Sequence, residues 1–198
     1  MRATTKVILV ALGAGVLGAL AGLMLNGPGR LWRTEIGQRA LQGVLASTAP
    51  EPPAGVRIAQ RGEAVPVWSL PDLDGGAVVI PTAFAGRKLL VNVWATWCGP
   101  CVREMPALDH YAGKQGANGL QVVGIALDDP AAVRDFLRRV PVRYPILVDV
   151  PGPADAGVRL GNPKGVLPYS VLIGADGRLL RQRIGPFADG EIEGWARD

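Results

Sequence analysis

Val91-Asn92-Val93-Trp94-Ala95-Thr96-Trp97-Cys98-Gly99-Pro100-Cys101 decides how this chain is read, because it holds both cysteines of a 198-residue sequence. Its first half continues an apolar run from Leu89 and Leu90, and a short run of this kind reads as a buried strand. Its second half is Cys-Gly-Pro-Cys. Glycine supplies a tight turn there, and proline supplies a backbone angle suited to the first turn of a helix. After Cys101 the pattern becomes helical. The two thiols therefore stand where a strand meets a helix N-terminus.

That placement has chemical content. Unpaired helix N–H groups and the positive end of the helix dipole favour a thiolate over a thiol. In a Cys-x-x-Cys motif they lower the pKa of the first cysteine. The spacing sets the second sulfur one turn along, within reach for a small disulfide ring. Cys98 reads as an exposed nucleophile. Cys101 reads as the recessed thiol that attacks the mixed disulfide and releases the partner. A zinc site needs four ligands, and two cysteines with the single histidine, His110, do not complete one. No metal and no cofactor are expected, and His110 reads as a surface helix residue.

Trp97-Cys98-Gly99-Pro100-Cys101 after an apolar strand resembles the thioredoxin active site. Asn92-Val93-Trp94-Ala95-Thr96-Trp97 in front of it is more similar to the membrane-anchored TlpA/ResA branch of thioredoxin-like proteins. The resemblance covers residues 61–198 and implies an α/β thioredoxin fold, a mixed central sheet with helices on both faces. In thioredoxin itself a buried aspartate stands six positions before the first cysteine. Here that position is Asn92, which cannot take up a proton. Glu104 follows Cys101 by three residues, on the same helix face, and resembles the buried glutamate of the branch. It would accept the Cys101 proton, or raise both thiol pKa values by its charge. The other reading is an exposed first-turn glutamate favoured by the helix dipole.

The same resemblance implies a cis peptide before Pro168, in Gly165-Val166-Leu167-Pro168-Tyr169, where the residues alone would give trans. Leu167 would then offer backbone groups to an extended client segment. Gly99 and Pro100 resemble the reducing, thioredoxin-type pair. Trp97 reads equally as a client contact and as a packing aromatic. Trp94 belongs in the core, and Pro106 should kink the helix.

Around this centre the chain falls into segments. Val7 to Leu25 is apolar throughout, and at 1.5 Å per helical residue it is about as long as a bilayer is thick. It is preceded by Arg2 and Lys6. A cleaved signal peptide and an uncleaved anchor compete. The length of the run and the lack of an Ala-x-Ala sequence after it favour the anchor. Gly18 and Gly22 are spaced to pair helices, or simply reflect a small-residue span; the domain is expected to be monomeric. Residues 1–6 would be a cytoplasmic tail, 7–25 a transmembrane signal anchor, 26–60 a tether and 61–198 the folded domain. Within the tether, Ile36, Ala40, Leu41, Val44 and Leu45 mark a short amphipathic helix.

The folded part opens with a hairpin from Val65 to Ile80, turning at Asp72–Gly76. Lys88 to Trp94 is the strand before the cysteines, and a helix runs from Cys101 to about Gln115. Leu120 to Leu127 is a strand, and Asp129-Pro130 opens a helix to about Val140. Tyr144 to Val148 is a short strand. Tyr169 to Gly174 and Arg178 to Ile184 form a hairpin with a primed turn at Asp176-Gly177, and Asp189 to Arg197 form a last short helix.

The net charge of +4 is not a property of the folded part. Residues 1–60 hold six basic side chains against Glu35 and Glu51, and residues 61–198 hold fifteen of each sign. With no basic stripe interleaved with aromatics, nucleic-acid binding is excluded. The expected function is an extracytoplasmic thiol-disulfide oxidoreductase in the bacterial inner membrane, its domain in the periplasm. It would reduce a disulfide-containing client protein and be re-reduced by a transmembrane thiol donor. The resemblance implies apocytochrome c or copper-site cysteines as clients. The competing readings are an oxidase or isomerase of the same fold, and a non-catalytic copper-binding chaperone. A peroxidase is excluded by the lack of a Pro-x-x-x-Thr-x-x-Cys pattern.

Overall fold

The computed structural model describes residues 34–116 and 118–197. The chain divides into two compact units, residues 1–43 and 44–198. The expected anchor, Val7–Leu25, lies outside the described residues. Among those described, no helix is long and apolar enough to cross a membrane.

The first helix among the described residues, α1, spans Glu35–Ser47. Thr34 caps it by accepting the Gly37 N–H on Oγ1, at 3.1 Å. Arg39 and Glu35 pair along it at 2.9 Å, one turn apart. Ile36 and Val44 of the apolar stripe are largely exposed.

The second unit holds the expected hairpin, β1 (Trp68–Pro71) with β2 (Ala77–Ile80), as a separate two-stranded sheet. Asp72 closes its turn, accepting the Asp74 and Gly76 N–H groups on Oδ1. Then follow β3 (Leu89–Trp94), α2 (Gly99–Gly113), β4 (Gln121–Leu127), α3 (Pro130–Leu137), β5 (Ile146–Asp149), α4 (Ala156–Arg159), β6 (Tyr169–Ile173), β7 (Leu179–Ile184) and α5 (Glu191–Trp195).

Five of these strands form one sheet in the order β5-β4-β3-β6-β7. The pairs β3–β4 and β4–β5 are parallel, and β3–β6 and β6–β7 are antiparallel. The sheet is mixed, with β3 at its centre. Buried on both faces, β3 is apolar almost throughout, as a doubly covered strand must be. Leu90 and Trp94 point into a core shared with Met105, Leu108, Val133 and Phe136 of α2 and α3. Leu89, Val91 and Val93 point the other way, towards Leu70, Ile80, Ala156 and Leu160. Helices α2, α3 and α5 thus cover one face, and α4 with the β1–β2 hairpin covers the other. This is the expected thioredoxin-like α/β architecture.

Three local expectations are corrected. Helix α2 starts at Gly99, not after Cys101, because Cys98 is its N-cap. Pro100 needs no hydrogen-bond acceptor in the first turn, and the Cys98 sulfur takes the Cys101 N–H. Helix α3 ends at Leu137 rather than Val140, and residues 138–140 run on only as a turn before Pro141, which disfavours helix in the residue ahead of it. The β6–β7 turn is not of the primed two-residue kind. Both primed turns need positive φ at the first central residue, here Asp176, and among the described residues only glycines have positive φ. Instead Gly177 donates to the Gly174 carbonyl at 2.9 Å, and Gly177 takes the left-handed position at φ 79°.

Candidate active site

Strand β3 delivers the chain to one end of the sheet, and α2 carries it away over the sheet face. Cys98 and Cys101 lie at that junction and are bonded as a disulfide, with Cα atoms 5.3 Å apart. The Cys101 N–H points at the Cys98 sulfur, 3.3 Å away. Cys101 is fully buried and Cys98 is 6% exposed. The expected open nucleophile is therefore shallow in this oxidised form, where its sulfur is tied to Cys101. Cys98 is nevertheless the cysteine with solvent access.

The loop before the cysteines is fixed from the neighbouring strand. Asp128, just past β4, accepts both the N–H and the hydroxyl of Thr96 on Oδ2. Next to this clamp Trp97 stands 71% exposed, so it is not a packing aromatic. Trp94 is completely buried, tilted against Phe136 with ring centroids 5.3 Å apart. Gly99 is exposed, and Pro100 and Leu167 are half-buried. Pro168 is buried, and the Leu167–Pro168 peptide is cis. The approach to it is held by Asn162, whose side chain donates to the Val166 carbonyl at 2.8 Å and accepts the Val166 N–H at 3.1 Å. His110 is exposed on α2, and Pro106 lies inside that helix.

Glu104 is not an exposed first-turn residue. It is 4% exposed, on the face of α2 that meets the sheet. Asn92 of β3 donates its amide to Glu104 Oε1 at 2.7 Å, and the Phe187 N–H donates to Oε2 at 3.0 Å. The Asn92 amide also donates to Ser170 Oγ at 3.0 Å, from the residue facing it across β3 and β6. Burial pushes the Glu104 pKa up to about 7, against the two hydrogen bonds and the charge of Arg183, which pull it down. An acid that exchanges its proton near neutral pH thus sits one helical turn beyond Cys101. Asn92 does not titrate; it holds the acid in place.

Sequence reasoning named Asn92 and Glu104 but missed Ser170, Phe187, Arg183, Glu191 and Asp128. Alternation along β7 gave no signal for Arg183: a bulge after Leu179 shifts the register and sets Arg183 opposite Ser170, on the other sheet face from Leu179, and arginine is seldom buried. Phe187 acts through its backbone, which no side-chain pattern reports. Among the described residues no group of three or more His, Cys, Asp or Glu is placed to hold a metal ion. A cavity of about 260 Å³ opens elsewhere, between Val65, Phe84, Leu89 and Ile173. It lies at the start of β3 and the end of β6, remote from the cysteines.

The arrangement can interconvert a dithiol and a disulfide and exchange a proton beside it. The profile of the Redoxin family matches residues 60–194. The chain is 28% identical over 141 residues to the thiol-disulfide oxidoreductase ResA of Bacillus anthracis, covering 70% of this chain and 78% of that protein. It is 22% identical to the sporulation thiol-disulfide oxidoreductase A of Bacillus subtilis, over 74% of this chain and 88% of that one. Among solved structures, a candidate thiol:disulfide interchange protein DsbE from Chlorobium tepidum superposes with a TM-score of 0.60 at 29% identity, covering 69% of this chain and 94% of its own. With the Cys98–Cys101 disulfide at the head of α2 and a titrating acid buried beneath it, the chain belongs to the Redoxin family as a thioredoxin-like thiol-disulfide oxidoreductase of the TlpA/ResA type.

Proposed function

We propose that this oxidoreductase is a membrane-tethered, extracytoplasmic reductant of protein disulfides. The observation that carries the proposal is the buried Glu104, held by Asn92 and the Phe187 N–H one turn beyond Cys101. In the reduced protein the Cys98 thiolate attacks one sulfur of a client disulfide. The other client sulfur leaves as a thiolate and takes a proton. Cys101 passes its proton to the Glu104 carboxylate, and its sulfur attacks Cys98. The second client thiolate leaves and is protonated in turn. The client gains two electrons and two protons, and the chain is left with the Cys98–Cys101 disulfide seen here. A thiol donor, reached across the membrane, restores the dithiol.

The exposed Trp97, with Gly99 and Pro100 and, as the likeness to the thioredoxin-like family implies, the backbone at the cis Leu167–Pro168 peptide, forms the face that receives an extended client segment. The likeness to the TlpA/ResA branch supports apocytochrome c or copper-site cysteines as clients. Residues 1–6 form a cytoplasmic tail, 7–25 an anchor and 26–60 a tether, leaving residues 61–198 as the working domain, a monomer in the periplasm. The long apolar run after Arg2 and Lys6 supports this division, as does the exposed apolar stripe of α1. Outside the cytoplasm disulfides form by default, so a Gly-Pro dithiol there serves to reduce selected ones.

Acid quenching and alkylation in cells tests the direction. A mainly reduced Cys98–Cys101 pair supports the reductant. A mainly disulfide-bonded pair replaces it with an oxidase or isomerase. In parallel, Cys101→Ser should accumulate a mixed disulfide on Cys98 that identifies the client.

A further inference from the structure

Arg183 carries a charge into the interior. It lies on β7 and is 1% exposed. Its guanidinium donates to both carboxylate oxygens of Glu191, at 2.7 and 3.0 Å, and to the Pro186 carbonyl at 2.8 Å. It also lies over the Phe187 ring, 4.8 Å from the centroid. Glu191 in turn accepts the Ala188 N–H at 2.7 Å. One ion pair thus fixes the backbone at residues 186 and 188. Between them, Phe187 aims its N–H at Glu104, 3.0 Å away.

A buried ion pair is a poor way to gain stability, since desolvating two charges costs about what their attraction returns. This pair has a further consequence, because its two charges act on Glu104 with opposite sign. Arg183 favours the Glu104 carboxylate, while Glu191, bound to the guanidinium through both its oxygens, offsets part of that positive charge. We propose that the Arg183–Glu191 pair is a positioning device that sets the pH at which Glu104 exchanges its proton, and with it the pH range over which the dithiol works. The proposal rests on the reading of Glu104 as the proton acceptor.

The groups around Glu104 come from seven segments of the chain. Cys101 is on its own helix, Asn92 on β3, Ser170 on β6 and Arg183 on β7. The Phe187 N–H comes from the β7–α5 connection, and Glu191 on α5 stands behind Arg183. Tyr144, just before β5, feels the Glu104 charge; burial, then that charge, pushes its phenol far up and keeps it neutral. Arginine keeps its proton at any working pH, and Cys101 is locked in the disulfide. Arg183 and Glu191 are therefore the charges through which the field on Glu104 is adjusted.

The Phe187 amide gives a direct readout, since its proton shift follows the charge on the carboxylate it donates to. In the oxidised protein, an NMR pH titration of this amide should show a midpoint near 7, as burial sets for Glu104. Arg183→Met should move the midpoint up by about one pH unit. Glu191→Gln, which unmasks the arginine, should move it down, and Arg183→Lys should stay near wild type. The two variants Arg183→Met and Glu191→Gln break the same pair, so a merely structural role would move both midpoints in the same direction. Shifts in the same direction, or none, overturn the proposal. If Arg183→Met does not fold, Glu191→Gln decides alone: a fall supports the proposal, and no change or a rise overturns it. A wild-type amide that does not titrate between about pH 5 and 9 removes Glu104 as the proton acceptor, and the proposal falls with it. That outcome is distinct from a wild-type titration that the variants leave unmoved.

Discussion

Asn92 of β3 donates its side-chain amide to Glu104 of α2 at 2.7 Å, joining the strand that leads into the cysteines to the helix that carries them. The contact spans only twelve positions of sequence, yet it requires α2 to lie back across the sheet face. It places a neutral donor against the acid, where a carboxylate would have repelled it.

Glu104 makes stability depend on pH. Its folded pKa of about 7 lies above the reference 4.5, so the folded state binds the proton more tightly than the unfolded chain. The resulting stability is fully present below about 4.5 and is lost as the pH rises through 7. Chemical denaturation of the oxidised protein should show a loss of roughly 2–3 kcal/mol between about pH 5 and pH 8. In Glu104→Gln this loss should disappear.

The reduced protein gives a second consequence. A carboxylate one turn from Cys101 raises the thiol pKa values by like-charge repulsion. Alkylation rates measured against pH should therefore show both thiols ionising at lower pH in Glu104→Gln, by about one unit. Unchanged thiol profiles would uncouple the acid from the dithiol.

Asn92→Asp places a second carboxylate beside the first in a buried site. Two such groups cannot both ionise at low cost. At pH 8 the variant should be destabilised by about 3 kcal/mol, and near pH 5, where one proton is shared, by much less. Denaturation midpoints at the two pH values separate this from a general packing defect, which would be insensitive to pH.

Gly124 of β4 faces Asn92 across the parallel pair. A Cβ there would come within 2.6 Å of Ile146 Cδ1 and 3.1 Å of both Trp94 Nε1 and Tyr144 Cε2. The isoleucine tip can swing, but the two buried rings cannot. Gly124→Ala should cost about 1–3 kcal/mol by thermal or chemical denaturation, with the thiols still reactive.

Trp97 separates binding from folding. At 71% exposure its removal touches little of the core. Trp97→Ala should change stability by less than about 0.5 kcal/mol. It should raise the KM for a protein disulfide while leaving the rate with a small disulfide nearly intact. An equal effect on both substrates would remove Trp97 from the client face.

Much of this was legible in the residues. The apolar run Leu89–Val93, the Gly-Pro between the cysteines and the alternating strand and helix patterns fix local geometry through short-range rules. They therefore located β3, α2 and the dithiol to within one or two positions. The spacing of Cys101 and Glu104 put both on one helix face, because three residues are nearly one turn. What the sequence could not say is whether that face looks into solvent or into the sheet, and the same glutamate is an ordinary surface acid in the first case and a neutral-pH proton carrier in the second. Only tertiary structure decided it, by laying α2 over Asn92 and Ser170 and by folding the β7–α5 connection so that the Phe187 N–H meets the carboxylate. The pKa of Glu104 is a property of that enclosure: desolvation depends on everything packed around a group, and the atoms that enclose this one come from positions 92 to 191 of the chain.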